Sequence, residues 1–311
     1  MIGCCLFIST TTTSRAFSRG LQRHHYSKSR WWKSSSISSN LRMMSTVMYH
    51  LEEVESTQEE AKRLLKEQTT ENKRSCWGVT AMHQSKGRGT SGREWKNGSG
   101  NCFLSIVVPC SRIDTKDFKL SLLPLYVGTI VANTLTTQLE ELAPNNTRLV
   151  SVKWPNDVLL EQKKVAGILI EYHDSHYIVG IGVNVQSAPL IDPTSGRPST
   201  CLMDYITPST TKDQINHSYG NDLSKTLATQ ITQEIDDTIS NLTSDDVLQT
   251  WSTYAHQGNF FIQPSFLRDI SSSTGNKKCH VQPLSIQPDG QLLVQDLETQ
   301  QTRILCTDYL F

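Results

Sequence analysis

A chain of 311 residues is long enough to bury a full enzyme core, with a length prior of about two domains. Its hydrophobic content of 37 % and charged content of 19 % are those of a globular protein, and no apolar run approaches the roughly 18–20 residues that cross a bilayer. The formal net charge of zero is unevenly spread: residues 1–48 hold seven Lys and Arg and no acid, leaving 23 basic and 30 acidic residues, a net of −7, in the remainder. An acidic body argues against nucleic acid, whose phosphates call for a basic surface.

The basic leader (Arg15, Arg19, Arg23, Lys28, Arg30, Lys33, Arg42) is also rich in Ser and Thr, at residues 10–13 and 34–36. Arg-rich, Ser-rich and acid-free is the composition of an organelle transit peptide, and equally of a merely disordered terminus. Residues 2–8 form a short apolar stretch without a basic segment before it, so a secretory signal fits poorly. The expectation is residues 1–48 as a disordered transit peptide, with mitochondrion preferred over plastid. Met43, Met44 and Met48 offer starts for a leaderless cytosolic form.

After the leader, residues 49–54 alternate like a strand. Ser56-Thr57-Gln58-Glu59 has the spacing of a capping box, and Ala61, Leu64 and Leu65 continue at helical spacing, so residues 57–68 are expected as a short helix. Residues 77–84 read as a strand, 85–101 as a Gly-rich polar loop, 102–108 as a strand and 121–142 as a long apolar helix. Residues 149–154, 158–160, 165–172 and 177–185 form a run of strands joined by tight turns. Residues 221–254 read as one helix through Ile231, Ile235, Ile239 and Leu242. Short strand-like pieces then follow at residues 259–263, 280–286, 291–295 and 302–305, with Pro288-Asp289-Gly290 as a turn signal. The last sixty residues are expected as a small separate β-barrel. Eight cysteines are scattered without a C-x-x-C pair, which indicates neither a zinc knuckle nor a disulfide framework; they read as reduced thiols of an intracellular protein.

Gly87-Arg88-Gly89-Thr90-Ser91-Gly92 fits the dinucleotide fingerprint G-x-G-x-x-G. That pattern is informative only where a helix opens after it, and here Gly-punctuated residues and a strand follow, which excludes a nicotinamide-dependent dehydrogenase. The loop still suits an anion: glycines expose backbone N–H groups, Lys86, Arg88 and Arg93 add positive charge, and Trp95 offers an aromatic face. The composition alone fits a solvated surface loop equally well.

Lys153-Trp154-Pro155-Asn156-Asp157 closes a strand with a Pro-fixed turn and brings a lysine, an amide and a carboxylate together. Lys164 opens the apolar run 164–171, in which Gly167 permits close approach to the backbone. Two lysines at neighbouring strand ends suit a carboxylate and phosphates. An ordinary solvent-facing hairpin has the same turn residues for local reasons.

Taken together, Ser56-Thr57 at a helix start, the loop 84–95, Lys153–Asp157, residues 164–168 and Gly180-Ile181-Gly182-Val183-Asn184-Val185 resemble biotin–protein ligases, also called holocarboxylase synthetases, in order and approximate spacing. The tail, from Trp251 and His256-Gln257-Gly258 through residues 289–294, is similar to that family's small C-terminal barrel. The resemblance implies an α+β fold: a central mixed or antiparallel sheet flanked by helices, of the class II synthetase-like kind, over residues 49–250, and an SH3-like barrel over 251–311. It implies that biotin is activated by ATP with Mg²⁺ as biotinyl-5′-AMP and passed to a lysine of the carrier domain of biotin-dependent carboxylases.

By the same resemblance Ser56, Thr57 and Gln84 would bind the ureido ring, with Gly87, Gly167 and Ile168 lining the pocket. Arg88 and Lys164 would hold carboxylate and phosphate. Arg93, Trp95, Lys153, Asn156 and Asn184 would serve the adenylate, and Asp157 would orient Lys153 or help the incoming lysine lose its proton. No metal is expected to be fixed by the protein alone. Two departures stand out: many bacterial members carry a basic residue where this chain has Thr90, and residues 1–48 leave no room for the helix-turn-helix of bifunctional members, so no DNA binding and no membrane partner are expected. A lipoate–protein ligase and a non-catalytic carrier-binding module are the alternatives. The first has less need of the polar set Ser56, Thr57 and Gln84, and the second less need of Arg88, Lys153 and Lys164.

Overall fold

The computed structural model describes residues 46–68, 74–96, 98–113, 116–144, 149–189, 198–206, 217–262 and 278–306; the leader lies outside them, apart from its last three residues. Two sheets organise these residues. The larger has seven strands in the order β1-β2-β3-β7-β6-β5-β4. They are β1 (Val47–Val54), β2 (Trp77–Gln84), β3 (Cys102–Pro109), β4 (Val150–Lys153), β5 (Asp157–Leu160), β6 (Lys163–His173) and β7 (His176–Val183). Only β1 and β2 pair in parallel, with α1 (Thr57–Glu67) as their crossover. Every other neighbouring pair is antiparallel. Hairpins β5–β6 and β6–β7 turn on Glu161-Gln162 and Asp174-Ser175, all four at positive φ, the conformation whose twist matches two paired strands.

All eight residues of β3, the central strand, are buried, and its continuous apolar composition is that of a strand covered on both faces. On one face Ala61 and Leu65 of α1 pack on Trp77, Val79, Val107 and Ile178. Side-chain alternation sends the neighbouring positions the other way, where Gly78 meets Thr232 and Gly128 meets Val152. That opposite face is covered by α2 (Leu123–Leu142) and α4 (His217–Thr238). Leu120–Leu142 is long and apolar enough to span a membrane, contrary to the sequence expectation, but 72 % of it is buried inside the fold, where it serves as a core helix.

The single helix expected over 221–254 is two helices. After α4 the chain tightens at Ile239–Asn241 and restarts as α5 (Ser244–Tyr254). Thr243 caps α5 by accepting from Asp246 N at 3.2 Å. Ile239 and Leu242 are both buried, so the apolar spacing runs through the break without recording it. The short helix α3 (Met203–Ile206) was read as loop.

The smaller sheet is antiparallel in the order β11-β10-β9-β8, formed by β8 (Phe260–Ile262), β9 (Cys279–Ile286), β10 (Leu292–Asp296) and β11 (Thr302–Leu305). Its β9–β10 turn, with Gly290 at φ +85°, meets the Lys153–Asp157 hairpin: Trp154 Nε1 donates to Gly290 O at 3.0 Å. Among the described residues the cysteines are free thiols, and burial pushes Cys102 up to about 12.

Candidate functional site

On the α1 face of the large sheet lies a cleft of about 450 Å³. Its floor owes its depth to glycine. Gly167 of β6 pairs with Gly182 of β7, and Gly180 lies two residues back on the same face. A Cβ on Gly182 would stand 2.3 Å from Cε2 of Trp95, and one on Gly167 would stand 2.8 Å from its Cζ3. The Trp95 ring therefore rests directly on backbone, inside the cleft. Its Nε1 is buried and has no hydrogen-bond partner among the described residues.

The polar end is built by the start of α1 and the end of β2. Ser56, Thr57 and Gln84 all line the cleft and are all buried. Gln84 Oε1 accepts from Thr57 N at 3.4 Å, and the Ser105 hydroxyl bonds Thr57 Oγ1 at 2.9 Å. The expected capping box does not form: Ser56 is the N-cap residue but its side chain makes no cap bond. Glu59 points instead to Lys62 and Arg88. The cap donors of this helix are left for the cleft.

The charged end is built by the basic loop and the start of β6. Gly87 has no room for a side chain, since a Cβ would meet Trp95 O at 2.4 Å and Gln84 Nε2 at 2.6 Å. Loop bonds Trp95 N to Gly87 O (2.9 Å) and Gly89 N to Arg93 O (2.7 Å) fold residues 87–95 back on themselves. Arg88 reaches the cleft, with its guanidinium held by the carboxylates of Glu59 and Glu171. Arg93 is not in the cleft wall; it grips Thr90, Nη2 to Oγ1 at 2.6 Å and Nε to the carbonyl at 3.1 Å.

Lys164 lines the cleft and its Nζ lies 2.6 Å from Asp157 Oδ1 and 5.3 Å from the Trp95 ring centroid. Burial alone would raise the Asp157 carboxyl, but Lys164 first, then Lys153 and Arg93, hold it below the usual carboxylate range. The expected Asp157–Lys153 partnership is thus an Asp157–Lys164 pair. Lys153 lies with Nζ 4.5 Å from the ring centroid of Phe260, in the small sheet. Asn156 lines the cleft and fastens the hairpin to β6, its Nδ2 donating to Ile168 O at 2.8 Å. Asn184 sits behind the cleft. Its Nδ2 donates to Thr200 O at 3.1 Å and approaches Lys164 O at 3.5 Å, which steadies the strand that carries Lys164.

The family profile described as "Biotin/lipoate A/B protein ligase family" matches residues 51–185, the stretch that supplies every cleft residue named above. Residues 51–185 belong to that ligase family. A biotin–[acetyl-CoA-carboxylase] ligase of Paracoccus denitrificans is 38 % identical over 120 residues, covering 37 % of this chain and 46 % of its own length. One of Mycobacterium tuberculosis is 34 % identical over 127 residues, covering 40 % and 44 %. The matched stretch spans less than half the length of these curated relatives. Among solved structures, a biotin protein ligase of Aquifex aeolicus in complex with biotin and ATP superposes with a TM-score of 0.55 at 22 % identity, covering 85 % of this chain and 97 % of that one. A Leishmania major ligase in complex with biotinyl-5-AMP gives 0.54 at 23 %, covering 84 % and 99 %. These likenesses establish the shared fold: a large sheet flanked by helices with a small C-terminal sheet beside it.

Within this ligase domain three residues escaped the sequence reading. Gln58 is buried in the cleft wall, Glu171 receives Arg88, and Asn101 Oδ1 accepts from the backbone N–H groups of Val185, Gln186 and Ser187 at 3.0, 3.0 and 3.1 Å. Gln58 and Glu171 are 113 positions apart, and no local pattern pairs them. Gly180 was quoted only as part of a strand; the alternation Gly180-x-Gly182 was the available sign of a bare cleft floor.

Proposed function

We propose that this chain is an ATP-dependent biotin–protein ligase that activates biotin as its 5′-adenylate and transfers it to a lysine of a carboxylase carrier domain. The observation that carries the reading is the polarity of the cleft. Hydrogen-bonding groups of Ser56, Thr57 and Gln84 gather at one end, and Arg88 and Lys164 stand at the other, across a floor of bare backbone. A ureido ring with an aliphatic acid tail has that same order of chemistry. The names of the relatives, biotin–[acetyl-CoA-carboxylase] ligases, support the same substrate and partner class.

In this reading Lys164 supplies the fixed charge that balances the anion developing where the carboxylate meets the α-phosphate. Asp157 holds that ammonium in place before substrate enters. Arg88 leaves its carboxylates to meet the acid and phosphate, and the loop 85–100 closes the reactive adenylate from water. The donor set argues against a protein-held metal: among the described residues no group of three or more His, Cys, Asp or Glu is placed to bind one. Magnesium then enters as the counter-ion of the nucleotide phosphates. The Arg- and Ser-rich composition of residues 1–48 supports delivery to a mitochondrion or plastid, which import of a leader–reporter fusion tests.

The test is transfer of biotin to a purified carrier domain by residues 49–311 with ATP, read as a mass shift, with lipoate as competitor. A biotin shift that lipoate does not replace is expected. Lys164→Ala is expected to cut adenylate formation at least ~10²-fold, the scale of losing one fixed charge in a preorganised site, as measured by pyrophosphate release. A lipoate shift instead would keep the adenylation chemistry and overturn the substrate. No shift with either acid from folded protein would overturn the ligase reading.

A further inference from the structure

Gln58 is 3 % exposed and lines the cleft one residue beyond Ser56-Thr57. Its amide orientation is fixed by two acceptors. Nε2 donates to Glu171 Oε2 at 3.0 Å and to the Ile178 carbonyl at 3.3 Å. Turning the amide over would set its oxygen against both, so the oxygen must face the other way. There, Gln58 Oε1 is buried and has no hydrogen-bond partner among the described residues. It lies over the cleft floor: a Cβ on Gly180 would come within 3.1 Å of it. A buried amide oxygen without a donor costs free energy unless a ligand brings one.

Resting on the proposed biotin chemistry, we propose that Gln58 is a specificity-determining residue that accepts one of the two ring N–H donors of the cyclic urea. The neighbouring groups leave room for it. Gln84 Oε1 already takes the Thr57 N–H, and Thr57 Oγ1 is engaged with Ser105, so a ring with two N–H groups requires a further acceptor. Glu171 acts through Gln58 as a positioning residue, because its carboxylate oxygen keeps the amide from rotating. A dithiolane acid carries no N–H, so it would leave Oε1 buried and unpaired. A site with a built hydrogen-bond partner rejects a ligand lacking the matching group far more strongly than an apolar pocket does.

The experiment is calorimetric binding to residues 49–311 without ATP. Native protein and Gln58→Met are compared with biotin and with its two cyclic carbamate analogues, in which one or the other ureido N–H is replaced by ring oxygen. Gln58→Met is expected to weaken biotin roughly 10- to 100-fold, the scale of one buried hydrogen bond. One carbamate isomer is expected to bind native and variant protein equally, because it lacks the N–H that Gln58 receives. In turnover, KM for biotin rises while KM for ATP and the saturating rate stay put. If Gln58→Met does not fold, Gln58→Asn, which keeps the amide but withdraws its oxygen, is measured in the same way. Undiminished biotin binding by the variant would overturn the assignment and leave the ligase reading standing. An equal loss for biotin and both carbamates would assign Gln58 a purely structural role and overturn it too. Failure of native protein to bind biotin at all would overturn the ligase reading and this inference with it.

Discussion

The Lys164–Asp157 pair sets the behaviour of the charged end at the residue scale. The carboxyl of Asp157 is held below its ordinary value, near 3.9 for an unfolded chain, so the pair contributes stability that is complete above that value and lost as pH falls through the lower, folded one. Urea unfolding of native protein and Asp157→Asn is therefore expected to show a stability difference that is constant from about pH 5 to 8 and shrinks below about pH 4. A difference that grew on acidification would contradict the pairing. Sequence signals at this scale were uneven. The motifs brought Ser56, Thr57, Gln84, Arg88, Lys164, Gly167 and Ile168 to one cleft. They misread Ser56 and Glu59 as a cap, because local spacing does not record that Arg88, 29 positions away, takes the carboxylate.

The elements were legible wherever burial follows a regular period. The strand Trp77–Gln84 and the strand Thr302–Leu305 have the limits expected from sequence, and others differ by one to three residues at an end. The broken helix was not legible from apolar spacing, because α4 and α5 both bury the same kind of residue against the same body. The sign that was present is Thr243 ahead of Asp245 and Asp246, a cap with acids in the first turn. Thr243→Ala is expected to cost about 1 kcal/mol in chemical denaturation, since the Asp246 N–H loses its acceptor. Thr243→Ser, which keeps the hydroxyl, is expected to recover most of it. A Thr243→Ala chain as stable as native would mean that α5 is held by packing alone.

At the scale of the whole molecule, the small sheet is fastened to the hairpin that carries Asp157. The bond from Trp154 Nε1 to Gly290 O is buried, and Ser121 Oγ donates to the neighbouring Asp289 carbonyl. Trp154→Phe retains the ring's apolar bulk and leaves a buried carbonyl without that donor, so a loss of about 1–3 kcal/mol is expected, measured by thermal unfolding. Unchanged stability would show that the two sheets meet by shape alone. Sequence reading placed the strands of both sheets but not this junction, because a contact 136 positions apart has no local signature.

The far edge of the large sheet has a further consequence. Strand β4 is the last in its row, and the connection between α5 and β8 covers it: Ala255 bridges Val152, and His256 N donates to Val152 O at 3.0 Å. Opposite, β1 ends the row with exposed Glu52 and Glu53, charges that discourage another strand from adding on. The β4 edge has no such guard within Val150-Ser151-Val152. Only two residues of connecting chain stand between it and self-association, so proteolytic nicking or heat-loosening near residue 256 would turn a closed enzyme into a template on which other copies polymerise.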